Sequence, residues 1–100
     1  MATVSKALFR GAAATSSTTL YTVPASTTTV VTNIAVTNTT SNDATFTILL
    51  DDVSIATTVT VGAYDTTVID LKQVLATTKT IKGLASAITV NFHISGVEIA

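Results

Sequence analysis

The chain has 100 residues, of which 11% are charged, with a formal net charge of −1 and no cysteine. That length allows one domain, and the missing thiols exclude disulfides and thiolate metal sites. Lys6, Arg10, Lys72, Lys79 and Lys82 are scattered, which argues against sequence-independent binding to phosphate backbones.

Met1 to Arg10, MATVSKALFR, places Val4, Ala7, Leu8 and Phe9 in a pattern that fits a short strand and a free arm equally well. Gly11 to Thr19 is small and polar and reads as a loop. Residues 1–19 are therefore taken as an N-terminal arm or edge strand with its loop, and 20–100 as the main domain. Leu20 to Val23 is a short strand stopped by Pro24, which has no N–H for a ladder. Thr28 to Thr37 and Thr45 to Leu50 form the strongest pair of strands, joined by the turn-rich run NTTSNDA, Asn38 to Ala44. In the first, Val30, Thr32, Ile34 and Val36 are expected on the apolar face; in the second, Phe46, Ile48 and Leu50.

Asp51-Asp52 reads as a hairpin turn. Ser54 to Val61 is the next strand, with Ile55, Thr57, Val59 and Val61 sharing a face. Gly62 to Asp65 turns the chain again, and Thr66 to Leu71 is a further strand. Lys72 to Ala76, KQVLA, is compatible with one helical turn. Thr78 to Leu84 is a weak strand. Ala87 to Ser95 is a strong one, with Ile88, Val90, Phe92 and Ile94 on one side, and Gly96 breaks the run before Val97 to Ile99 ends it.

About eight short strands with regularly spaced turns indicate an all-β fold: a single antiparallel β-sandwich, jelly-roll-like, with under about 10% helix. The expected core is Ile34, Val36, Phe46, Ile48, Val59, Val90 and Phe92. No run approaches the roughly 20 apolar residues of a membrane helix. No secretory signal is expected, because no apolar run follows Lys6 and Arg10.

No group of residues points to catalysis or to a cofactor. His93 is the only histidine, flanked by Asn91 and Ser95 without a nucleophile motif, and reads as a surface or interface residue. Asp51 and Asp52, with Asp43 if the hairpin folds back, supply too few oxygens for calcium and are better used in the turn. Asp65 and Asp70 do not share a strand face as paired carboxylates would. Asn38-Thr39-Thr40 matches the glycosylation sequon, without a signal to support its use. The few aromatics do not make a sugar- or nucleic-acid-binding platform.

The run LYTVPASTTTVVTNIAVTNTT, Leu20 to Thr40, resembles a motif of small tailed-phage virion proteins, in which a Y-x-V-P-A turn precedes a Val-rich strand. VIDLKQVLATTKTIKGLAS and the closing NFHISGVEIA are similar to later segments of the same proteins, so the likeness covers Leu20 to Ala100. One departure is Ser26, where glycine is the more frequent residue. The chain also resembles the capsid cement (decoration) proteins of cyanobacterial phages.

The resemblance implies a β-sandwich without enzymatic activity, metal or cofactor, located on the virion surface and in the host cytoplasm during assembly. The implied partners are the major capsid protein and further copies of the chain as a homotrimer, with no nucleic acid and no membrane. Lys6, Phe9 and Arg10 in the N-terminal segment are the candidate capsid contacts. A tail or fibre module of the virion is the alternative; a carbohydrate-binding module fits less well, for want of exposed rings.

Overall fold

Alternating β-branched and small polar residues yield eight strands and, among the described residues, no helix. The strands are β1 (Thr3–Ala12), β2 (Thr18–Thr22), β3 (Thr28–Asn38), β4 (Ala44–Leu50), β5 (Val53–Val61), β6 (Thr66–Leu75), β7 (Thr80–Ala85) and β8 (Val90–Ile99). The computed structural model describes residues 2–100; Met1, the first residue of the N-terminal segment, lies outside them.

The strands form two four-stranded sheets, β1-β8-β3-β6 and β2-β7-β4-β5, and every pairing is antiparallel. Only the β4–β5 hairpin stays within one sheet; every other connection crosses between sheets. This is the jelly-roll order, in which two Greek keys close over one core. The β4–β5 turn is Asp51-Asp52, with φ values of 53° and 60°. Two successive left-handed residues make the type I′ turn that suits the twist of a hairpin.

The core lies between the inner faces. Phe46 of β4 and Phe92 of β8 meet edge to face across it, with centroids 6.3 Å apart and planes at 71°. Ile34, Val36, Ile48 and Val90 are buried as expected, while Val59 is only partly buried at the edge of the cluster.

Each of the four edge strands is interrupted by a bulge. Leu8 is the extra residue of β1 against β8, and Leu20 that of β2 against β7. On β6, Leu71 and Lys72 oppose the single Thr32 of β3. On β5, Thr57 and Thr58 oppose Thr47, and Ile55 is a second extra residue. Bulges blunt an edge against pairing with other chains. They also turn leucines inward: Leu8 is buried, and Leu20 and Leu71 pack against the core. Glycines on the neighbouring strands receive the first two. A Cβ on Gly83 would lie 3.0 Å from Leu20 Cδ1 and from Ile48 Cδ1. A Cβ on Gly96 would lie 2.8 Å from Leu8 Cδ1 and would clash with the Val30 carbonyl.

The bulges account for several departures from strict alternation. Thr32 is also an extra residue against β8, so the phase of β3 flips there. Thr29 and Val31 face the core before it and Ile34 and Val36 after it, while Val30 and Thr32 do not belong to the buried face. In β5, Ala56 and Val61 are buried, whereas Ile55 and Thr57 are exposed. Lys72 to Leu75 extends β6 and forms no helical turn, because pairing with β3 satisfies its backbone. Ile88 sits exposed in the turn before β8 and not on its buried face. Gly96 lies within β8, since the absence of a side chain is what lets Leu8 and Val30 approach.

Candidate contact surface

Charge is placed at the margins of this molecule. Of the eleven charged residues (Lys+Arg 5, Asp+Glu 6), only Lys82 and Glu98 fall on the four inner strands. Both are ion-paired: Lys82 Nζ lies 2.7 Å from Asp52 Oδ1, and Lys6 Nζ lies 3.3 Å from Glu98 Oε1. The outer faces of both sheets are therefore broad and nearly neutral across their middle.

On the β2-β7-β4-β5 sheet, the outward positions are rich in threonine. Thr45 pairs with Thr60, Thr47 with Leu84, Thr22 with Thr80, and Lys82 sits between Thr19 and Leu49. On the β1-β8-β3-β6 sheet, three rows run from edge to edge. Arg10, His93, Ala35 and Val68 form the first; Ala7, Ser95, Asn33 and Asp70 the second; Ser5, Val97, Val30 and Val74 the third. Val68 and Val74 are 56% and 68% exposed. Asn33 Nδ2 donates to Asp70 Oδ1 at 3.1 Å. An open depression of about 470 Å³ follows the β6 bulge, lined by Thr32, Asp70, Leu71 and Lys72.

The three sequence-derived contact residues have different settings. β1 is an edge strand paired with β8 from Thr3 to Ala12, so the described part of the N-terminal segment lies in the sheet and does not reach away as an arm. Lys6 is held by Glu98. Phe9 is half-buried and packs against the core. Arg10 is exposed at the end of the first row, beside His93.

The Lys6–Glu98 pair belongs to a network that ties the two sheets together. The Tyr21 hydroxyl of β2 donates to Glu98 Oε2 at 2.5 Å, and the Thr29 hydroxyl of β3 stands 2.8 Å from the Tyr21 oxygen. With its own hydrogen committed to Glu98, the phenol accepts from Thr29. Burial, then the bond to Glu98, pushes the Tyr21 phenol up to about 12. The Tyr21 bond, supported by Lys6, holds the Glu98 carboxyl below its usual value against the opposing effect of burial. A neutral phenol and an ionised carboxylate are thus mutually stabilised in a contact between the two sheets. The network's chemistry is that of a clamp.

At the opposite end Asn38, only 1% exposed, fixes the turns. Its Nδ2 donates to the carbonyls of Asn42, Val61 and Gly62 at 2.7, 3.3 and 3.2 Å. Its Oδ1 accepts from the backbone N–H and the hydroxyl of Thr40 at 3.1 and 3.0 Å. The sequon asparagine is therefore consumed inside the fold. Asp51 and Asp52 lie beyond the C-terminal end of β4 and Asp43 just before its start, so the three do not converge on a metal. Among the described residues, no three His, Cys, Asp or Glu side chains are grouped as metal ligands.

Sequence reasoning missed Tyr21 and Glu98, and singled out Asn38 only as the asparagine of a sequon. The available signal was a lone acid in the otherwise uncharged run of β8, since a carboxylate on a largely buried strand needs a partner. Comparison with known proteins returned no matching family model, no matching curated protein and no matching solved structure.

Proposed function

We propose that this protein is a structural subunit of a phage particle, a cement protein that binds between major capsid subunits and stabilises the shell by surface burial. The observation that carries this reading is the placement of charge. Inner strands without unpaired charges leave two wide sheet faces of low charge, suited to extended contact with another protein surface. The sequence resemblance points the same way, and the jelly roll is an architecture that capsid domains use.

Blunted edges argue against strand addition as the mode of contact, which leaves the faces. The threonine-rich face of the β2-β7-β4-β5 sheet is the one assigned to the shell. Its hydroxyls exchange water for protein partners at little cost. Binding stabilises a shell only while the sites are occupied, so the effect follows the concentration of the protein.

The test is thermal rupture of shells prepared with and without this protein, followed by rebinding of the purified chain. Rupture at a lower temperature without it, and recovery on rebinding, are expected. Equal rupture temperatures together with no rebinding overturn the reading.

A further inference from the structure

The outer face of the β1-β8-β3-β6 sheet carries an apolar row, Val97, Val30 and Val74, across three adjacent strands. Its edges carry Arg10 on β1 and, on β6, Asp70 followed by Lys72. We propose that this face is an interface between two copies of the chain, related by a two-fold axis that runs along the strands between β8 and β3. This is a pair, in place of the three-fold grouping that the resemblance implies.

Such an axis lays β1 of one copy over β6 of the other, and β8 over β3. Val97 of each copy then covers Val30 of the other, and Val74 covers Ser5. Arg10 comes over the stretch from Val68 to Asp70, so Arg10 of each copy approaches Asp70 of the other, twice by symmetry. Lys72 lies further along β6, beyond Asp70 as seen from the Arg10 row. The other in-plane two-fold, across the strands, returns each edge onto itself. It leaves Arg10 over Ser5, away from any carboxylate of this face, so the contact of Arg10 with Asp70 belongs to the axis along the strands.

The area is sufficient. Four strands about 4.8 Å apart and about 10 residues long, at about 3.4 Å per residue, present about 650 Å² per copy. The pair would bury about 1,300 Å², within the range of about 1,200–2,000 Å² for stable interfaces. Face-to-face stacking of sheets is also the geometry the molecule uses in its own core. With this face covered, the threonine-rich face remains free for the shell.

Sedimentation equilibrium of the purified full chain tests this independently of any capsid. A monomer–dimer equilibrium is expected. Val74→Arg, at an exposed position, should weaken association by about tenfold or more. Arg10→Asp and Asp70→Arg alone should each weaken it by about five- to tenfold, and the double reversal should return it to within about threefold of wild type. Circular dichroism checks folding, and Val68→Arg replaces Val74→Arg if that variant loses the wild-type spectrum. A wild-type chain that stays monomeric, a trimer, or a double reversal no better than the single ones overturns the proposal.

Discussion

Leu8 fills the space that a side chain on Gly96 would occupy: its Cδ1 lies 2.8 Å from where that Cβ would be. The same relation recurs in the other sheet, where Leu20 stands over Gly83. In each case an edge strand gains one residue in a bulge, and the neighbouring strand supplies the room. The two glycines differ in what else they face. A Cβ on Gly83 would meet only side chains, from Ile48, Leu20 and Phe92, whereas one on Gly96 would also strike the Val30 carbonyl.

That difference gives two outcomes in a double-mutant cycle. Gly83→Ala should cost about 1–3 kcal/mol, and Leu20→Ala in the same chain should recover part of it. Gly96→Ala should cost at least as much, and Leu8→Ala should recover little, because a carbonyl cannot rotate away as a side chain can. Denaturant melts of the four single and two double variants measure this. Equal recovery in both pairs would show that the backbone contact at Gly96 is relieved by a small shift.

The Tyr21–Glu98 bond makes stability depend on pH at both extremes. Glu98 has a depressed pKa in the fold, so its contribution is present above the unfolded carboxyl value and is lost as pH falls through the folded one. Tyr21 has a raised pKa, about 12 against 10.0, so its contribution is complete below pH 10 and lost as pH rises toward 12. A shift of that size corresponds to at most about 2–3 kcal/mol. Tyr21→Phe should lower stability at neutral pH by about 1.5–3 kcal/mol. It should also remove most of the fall between pH 10 and 12, which urea melts across that range detect. An unchanged alkaline limb would place its cause elsewhere.

Phe46 is 1% exposed and touches Phe92 edge to face. Phe46→Ala should cost about 3–5 kcal/mol in denaturant melts. A loss under about 1 kcal/mol would mean that the two sheets close over the vacancy.

Ser26 and Thr58 are held at φ values of 56° and 48°, a region that L-residues enter at a cost and glycine does not. Ser26→Gly and Thr58→Gly should each raise stability by about 0.5–1 kcal/mol. Thr58 is the more telling, because a β-branched residue is rare there and its N–H bond to Thr47 Oγ1, at 3.0 Å, does not need its side chain. Destabilisation in thermal melts would show that the threonine side chain contributes more than its backbone conformation costs.

These positions show where the sequence is legible and where it is not. β4 could be read directly: Phe46, Ile48 and Leu50 alternate without interruption and all three are buried. The Asp51-Asp52 turn was equally plain, since both residues tolerate the left-handed region. β3 departs from strict alternation at Val30 and Thr32, because a bulge adds one residue without changing composition. KQVLA carries a local preference for helix that pairing with β3 overrides. The clamp was invisible for a different reason: Lys6 and Tyr21 reach Glu98 across 92 and 77 residues of sequence, and only the crossing of the two sheets brings them together. The neutrality of the faces was legible in composition, but its arrangement, with charge at edges and turns, required the strand order.

The most direct measurement is the position of this chain in the intact particle, by electron cryomicroscopy of virions with and without it. The expected result is extra density on the outside of the shell, between capsid subunits, that fits the eight-stranded sandwich and is missing from particles lacking the chain. Density confined to the tail or its fibres, or particles identical with and without the chain, would contradict the proposed role.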